Sequence, residues 1–158
     1  MKFLADEMNG DLARWLRILG YDCEYGGSDH ELIVKAEMEN RVLLTGDKEL
    51  YRMALRTGLQ VVYTNPCERV EGKLRTVLRE TKIAPFAFPS RCPLCNGDLA
   101  EVGEEEIAKE VPPKVLEKRP KFYRCRRCGH VYWVGSHWRS ITSLTKRVLR
   151  EIGCEERR

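Results

Sequence analysis

Hydrophobic positions in the first half of the chain switch repeatedly between the strand period and the helix period. Lys2–Ala5 is a short strand pattern that ends on Asp6. Leu12, Trp15, Leu16 and Leu19 then recur at i, i+3, i+4 and i+7, the stripe of a helix, and Gly20 stands where that helix should close. Tyr21–Tyr25 predicts a second strand. Ser28-Asp29-His30-Glu31 has the spacing of a capping box, opening a helix that buries Leu32, Ile33 and Ala36, with Asn40 suited to a left-handed exit. Arg41–Thr45 is a third strand and stops on Gly46-Asp47. Asp47 is placed to cap a helix reaching to near Thr57, and Gly58 stops it. Leu59–Tyr63 is a fourth strand, and Val70, Leu74, Val77 and Leu78 mark one more helix beyond the Asn65-Pro66 turn. Strands separated by helical crossovers predict an α/β domain, a parallel sheet with helices on both faces, over residues 1–82.

The pattern changes at Ile83–Pro89, where two prolines predict an extended linker, residues 83–90. Beyond it lie Cys92-Pro-Leu-Cys95 and Cys125-Arg-Arg-Cys128, two C-x-x-C pairs with 29 residues between them. Each pair brings two thiolates to one ion on a tight turn, and two pairs complete a tetrahedral four-sulfur site for zinc. Four protein ligands leave no open position, so the zinc is expected to be structural. Asn96-Gly97 and Gly129 supply turn formers after the two knuckles. This predicts a small zinc ribbon over residues 91–139, with strands at Asp98–Val102 and Lys121–Arg124. The insert from Glu104 to Lys121, with Pro112, Pro113 and Pro120, is expected to be mobile. Ile141, Leu144, Val148, Leu149 and Ile152 mark an amphipathic helix within a last segment, residues 140–158.

Composition narrows the class. Of 158 residues, 42% are hydrophobic and 33% charged, the balance of a globular, soluble chain. No apolar run approaches the length of a membrane span, and Asp6 falls where a signal peptide would need apolar residues, so a cytoplasmic location is expected. The three cysteines outside the zinc set, Cys23, Cys67 and Cys154, are an odd number and fit reduced thiols. Residues 1–88 carry 13 basic and 14 acidic side chains, whereas residues 89–158 carry 15 and 10. The positive second half fits contact with phosphate, and equally a solvated surface.

Candidate chemistry gathers where the strands end. Parallel sheets bind ligands at the carboxyl ends of their strands, at the switch point of strand order. Asp6 follows strand 1 and Asp47 follows strand 3; with strand order 2-1-3-4 they face each other across one crevice. Asp29 opens the helix after strand 2 and reaches the same edge. Three carboxylates together invite a divalent cation, and oxygen-only ligands favour Mg²⁺ or Mn²⁺. Such an ion bridges to phosphate and supports in-line attack by water. Helix capping alone also explains an aspartate at positions 29 and 47. No glycine-rich phosphate loop is present, which argues against Rossmann-type nucleotide binding. Arg14 and Arg17 lie on the first helix beside the Asp6 loop and suit either phosphate or solvent. Tyr132, Trp133, His137, Trp138 and Arg139 form an aromatic and basic cluster past the last knuckle. It reads as a platform for unpaired bases or as the small core of the ribbon.

Several of these motifs occur together in one known family. Leu4-Ala5-Asp6-Glu7-Met8, Gly10-Asp11-Leu12-Ala13-Arg14-Trp15-Leu16-Arg17, Asp29-His30-Glu31-Leu32 and Arg41 through Asp47 stand in order. The four cysteines with Arg91 and Asn96-Gly97 follow, then Tyr132-Trp133 and His137-Trp138. This ordered set resembles the PIN-like Mut-seven C-terminal RNase family, from the N-terminus to about Arg139. The resemblance implies a PIN-like nuclease domain fused to a zinc ribbon, acting on RNA with a divalent metal. By position, Asp6, Asp29 and Asp47 match its acidic residues, and Cys92, Cys95, Cys125 and Cys128 its ribbon ligands. Two positions depart from it. Gly46 stands where the family usually has arginine, a change expected to weaken the grip on phosphate or alter substrate choice. Asn9 stands where it usually has leucine. The expected activity is thus metal-dependent hydrolysis of RNA, with Arg14, Arg17, Trp133, His137, Trp138 and Arg139 contacting the substrate. A non-catalytic RNA-binding module, or a ribbon that docks a protein partner, are the alternatives.

Overall fold

The computed structural model describes residues 1–83, 90–118, 120–151 and 153, and for Ser136 and His137 the backbone alone. Most of the expected linker, together with Ile152 and Cys154, lies outside the described residues.

Four strands form one parallel sheet in the order β2-β1-β3-β4: β1 (Lys2–Ala5), β2 (Asp22–Tyr25), β3 (Val42–Thr45) and β4 (Val61–Tyr63). Side chains on a strand point alternately to its two faces, and here the two faces feed two cores. Phe3, Ala5, Val42 and Leu44 pack with Leu12, Leu16, Leu74, Val77 and Leu78 from α1 (Gly10–Ile18) and α4 (Val70–Thr81). Leu4 and Leu43 face the other way, onto α2 (Asp29–Glu39) and α3 (Lys48–Arg56). Three layers result: β3 is buried at every position and β1 at all but Lys2, because helices cover both faces of the central strands. A short 3₁₀ turn, Glu7–Asn9, separates β1 from α1.

The local signals hold. Ser28 and Glu31 make the reciprocal capping box, Asp47 accepts from the Glu49 and Leu50 amides, and Asn40 is left-handed at φ 51°. Strand ends differ from expectation by one or two residues.

The second sheet is an antiparallel ribbon, β5 (Leu99–Val102), β6 (Phe122–Cys125) and β7 (Val131–Trp133). The insert between β5 and β6 contains secondary structure that the sequence reading did not predict. It folds into two single-turn helices, α5 (Glu104–Ile107) and α6 (Pro113–Leu116). Ile107 and Val111 are buried against Phe122 and form a small core of their own. Pro113 sits in the first turn of α6, where a missing N–H costs nothing. The last helix, α7 (Ser136–Glu151), begins four residues before the expected boundary and packs Val148 and Leu149 into the α1/α4 core. Among the described residues no helix is long and apolar enough to cross a membrane.

Polar contacts seat the ribbon on the sheet. Asn96, in the first knuckle, accepts from the Cys23 amide at 3.1 Å and donates to Asp22 at 2.8 Å, covering the exposed side of edge strand β2. Arg41 is buried beneath it and donates to Asp22 at 2.7 Å, Glu39 at 2.6 Å and the Phe3 carbonyl at 3.1 Å. Burial alone would raise the Asp22 carboxyl, but the Arg41 and Asn96 hydrogen bonds outweigh it and hold the group below its ordinary value of 3.8. A lowered carboxyl stabilises the fold above its unfolded value and loses that contribution as pH falls through the folded one. Replacing Arg41 by Met should therefore cost about 3 kcal/mol at neutral pH, by stranding a half-buried carboxylate. The loss should shrink as pH falls below 3.8 and through the lower folded value of Asp22, where the carboxyl is protonated and no longer draws on Arg41. Thermal unfolding of both proteins from pH 3 to pH 7 checks this, and parallel curves would count against it.

Candidate functional site

The two knuckles bring Cys92, Cys95, Cys125 and Cys128 together, with all four Sγ atoms within 4.8 Å of one another. Sulfurs bound to zinc at about 2.3 Å in a tetrahedron lie about 3.8 Å apart. Cys92 and Cys128 are 3.7 Å apart, and Cys95 and Cys125 are 3.4 Å apart, close to those edges. The donor set and its spacing fit zinc. Burial works against ionisation of Cys125, yet the amides of Cys128 and Arg127 donate to its sulfur and bring the thiol down to about 7. The Tyr132 hydroxyl lies 3.1 Å from the Cys92 sulfur. Gly97 is needed for space: a Cβ there would come within 2.6 Å of the Arg127 Cβ and 2.9 Å of the Cys125 sulfur. Asn96 is the residue that turns left-handed, at φ 65°.

The three acidic candidates all stand at the carboxyl edge of the parallel sheet. Asp6 directly follows β1 and Asp47 follows β3 after one residue, and these strands are neighbours across the switch point. Asp6 is buried at 6% exposure. Its Oδ2 accepts from the Thr45 hydroxyl at 2.6 Å and the Gly46 amide at 3.0 Å; its Oδ1 accepts from the Asn9 side chain at 2.8 Å. The Thr45 oxygen also accepts from the Asp47 amide at 2.9 Å, so one hydroxyl ties the two acids together. Asp47 is exposed and uses Oδ1 to cap α3. Asp29 is exposed and is not the cap of α2, because Ser28 takes that place. Glu31 is held by the Ser28 amide and hydroxyl, which lower its carboxyl. Among the described residues, Asp6, Asp29 and Asp47 have no ion pair with a basic side chain. They do not form a cluster within 4.8 Å of the kind the cysteines make.

Sequence reasoning missed the supports of this site. Thr45 and Asn9 were visible only as strand end and departure from a family pattern. Asn9 is fully buried and accepts from the Thr64 hydroxyl at 3.0 Å while donating to Asp6. Gly46, the other departure, faces the same residue: a Cβ there would lie 3.3 Å from the Thr64 carbonyl oxygen. Both unusual positions therefore meet at Thr64.

The six basic and aromatic candidates separate into groups. Arg14, Trp133 and Trp138 line one cavity of about 750 Å³ between α1, the ribbon and the start of α7. Arg139 lies on α7 beyond it, exposed. The His137 side chain lies outside the described residues. Arg17 turns inward: it is buried, its Nε donates to the Cys23 carbonyl at 2.7 Å, and its Nη1 lies 3.2 and 3.1 Å from the Pro93 and Leu94 carbonyls. These contacts tie α1 to the first knuckle and engage the Arg17 guanidinium inside the fold.

Over 93 residues, 53% of its length, this chain is 31% identical to proteins named Elongation factor 4 in Mycolicibacterium paratuberculosis (strain ATCC BAA-968 / K-10) and Mycobacterium sp. (strain KMS). The match covers 14% and 15% of those proteins, so the chain spans a small part of the length of these curated relatives. No solved structure matches it. The Mut7-C RNAse domain matches residues 1–145, a span that takes in the parallel sheet, the four cysteines and most of α7, and it points to a nuclease acting on RNA. By this match, the chain belongs to the Mut7-C RNAse domain family.

Proposed function

We propose that this protein hydrolyses RNA phosphodiester bonds at the carboxyl edge of its PIN-like parallel sheet, with Mg²⁺ or Mn²⁺ held by Asp6, Asp47 and Asp29. The observation that carries the reading is Asp6: a buried carboxylate fixed by Thr45, Gly46 and Asn9, at the strand switch point of an RNase-family domain. Its donors are neutral, so its negative charge is oriented without being cancelled. One lone pair on Oδ1, the uncapped oxygen of Asp47 and the exposed carboxylate of Asp29 are left for a cation. An oxygen-only set that is not drawn tightly together suits ions that keep several waters and take one or two carboxylates directly. When bound, such an ion activates water and neutralises charge building on the phosphate. Asp6 is preorganised for that task by its hydrogen bonds, which hold the carboxylate in place during reaction. The zinc ribbon, seated against the amino end of β2 by Asn96 and Arg17, adds a second surface for the RNA that is cleaved at this edge.

The test is cleavage of an RNA with single-stranded and structured parts by zinc-loaded protein freed of Mg²⁺ and Mn²⁺. Cleavage should appear when either ion is restored. Equal cleavage without them would remove the metal from the account.

A further inference from the structure

Trp138 lines two cavities at once, and that continuity suggests a path for the substrate. On one side is the 750 Å³ cavity, with Arg14, His130, Trp133 and Trp138 among its walls. On the other is a groove of about 350 Å³ along α7, whose lining is Trp138, Arg139, Thr142, Ser143, Lys146 and Arg150. At 100° per residue, Arg139, Lys146 and Arg150 fall on one stripe of α7, away from Val148, which is buried in the core. Their rise along the axis is about 10.5 Å and then about 6 Å. All three are exposed, and among the described residues none has a carboxylate partner. Their neighbours on α7 differ: Arg147 pairs with Glu71 and Glu151 with Arg75.

Resting on the ribonuclease reading, we infer that the RNA is bound as a single, unpaired strand. Bases enter the aromatic cavity, and the following phosphates run along Arg139, Lys146 and Arg150. Three observations favour this over a duplex or a protein. Trp133 is 39% exposed, and His130, whose ring packs on Tyr132 at 4.7 Å, is an exposed residue beside it, so aromatic surface is available, and only unpaired bases offer faces in return. The cavity lies within the range of roughly 300–1,000 Å³ typical of small-ligand pockets, room for a splayed nucleotide and not for a double helix. The groove past Trp138 is walled by three cations that have no carboxylate partner among the described residues and by the Ser143 hydroxyl, donors that match a phosphate chain, while the Thr142 hydroxyl donates to the Trp138 carbonyl. Arg14, one turn into the helix that starts directly after Asn9, adds a positive charge to the cavity wall.

The test uses the Asp6→Asn protein, in which binding is read without turnover. Fluorescence anisotropy compares a labelled 12-nucleotide single strand with the same strand in a duplex, across a salt series. The single strand should bind at least tenfold more tightly. Lys146→Gln with Arg150→Gln should weaken it about tenfold and reduce the slope of log affinity against log salt by about 1.4, since each single-strand phosphate contact contributes about 0.7. Trp138→Ala should weaken binding by a similar factor without changing that slope. Duplex bound as tightly as single strand, or a slope untouched by the double substitution, would overturn the inference and leave the α7 face to a protein partner. A wild-type protein that binds through this track but never cleaves would instead refute the nuclease reading and leave the track standing.

Discussion

Replacing Cys125 by Ser is expected to unfold the ribbon and abolish zinc binding at the four-cysteine cluster. The serine oxygen cannot replace a thiolate that sits 3.4 Å from the Cys95 sulfur and is itself buried. Structural zinc contributes on the order of 10–16 kcal/mol in small zinc modules. The ribbon has little else, because its own core is Ile107, Val111 and Phe122 with a few partly buried neighbours. The effect should reach the sheet as well. Without the first knuckle, Arg17 loses the Pro93 and Leu94 carbonyls, and the Cys23 amide loses Asn96. Each buried donor left unsatisfied costs about 1–3 kcal/mol. Zinc content should fall from one per chain to none, amide exchange in β5–β7 should become fast, and the remaining layer should melt at lower temperature. Retained zinc with protected ribbon amides would show that the four cysteines are not the metal site.

Asp6→Asn should lower RNA cleavage by about a thousand-fold or more, in line with the loss of one preorganised electrostatic group or ligand. The fold should hardly notice. The amide introduced at position 6 can keep its oxygen toward Thr45 and Gly46 and turn its NH₂ toward Asn9. Asn9 now donates to Asp6 and accepts from Thr64. A half-turn of its own amide reverses both roles, and the Thr64 hydroxyl can accept as readily as it donates. Every buried polar atom in the pocket then keeps a partner. The melting temperature should stay within a few degrees, which separates a lost charge from a lost structure. A variant that unfolds would show that Asp6 is needed for the fold.

Much of this architecture was legible in the sequence because its signals are local. The capping box at Ser28, the left-handed Asn40 and the cap at Asp47 each depend on residues within one turn. The strands β1 and β3 are apolar at nearly every position because both faces are covered, and that marks a parallel sheet without further information. The cysteine pairs carry their geometry in their spacing. What was not legible depends on distant partners. Arg17 looks like any helix arginine until the knuckle, 76 residues on, supplies its carbonyls. Asn9 gains its meaning from Asp6 and from Thr64, 55 residues away. The folded insert was hidden by its prolines, since Ile107 and Val111 are core residues only once Phe122 lies beneath them. Of the acidic set, the sheet edge was readable from strand ends, whereas the hydroxyl that links Asp6 to Asp47 was not.

Cleavage of one labelled RNA by wild type and Asp6→Asn, both zinc-loaded, with and without added Mn²⁺ or Mg²⁺, tests the central claim most directly. The account predicts product only from wild type and only with the added ion. Product from Asp6→Asn at the wild-type rate, in a preparation free of other nucleases, would contradict it and move the chemistry away from the sheet edge.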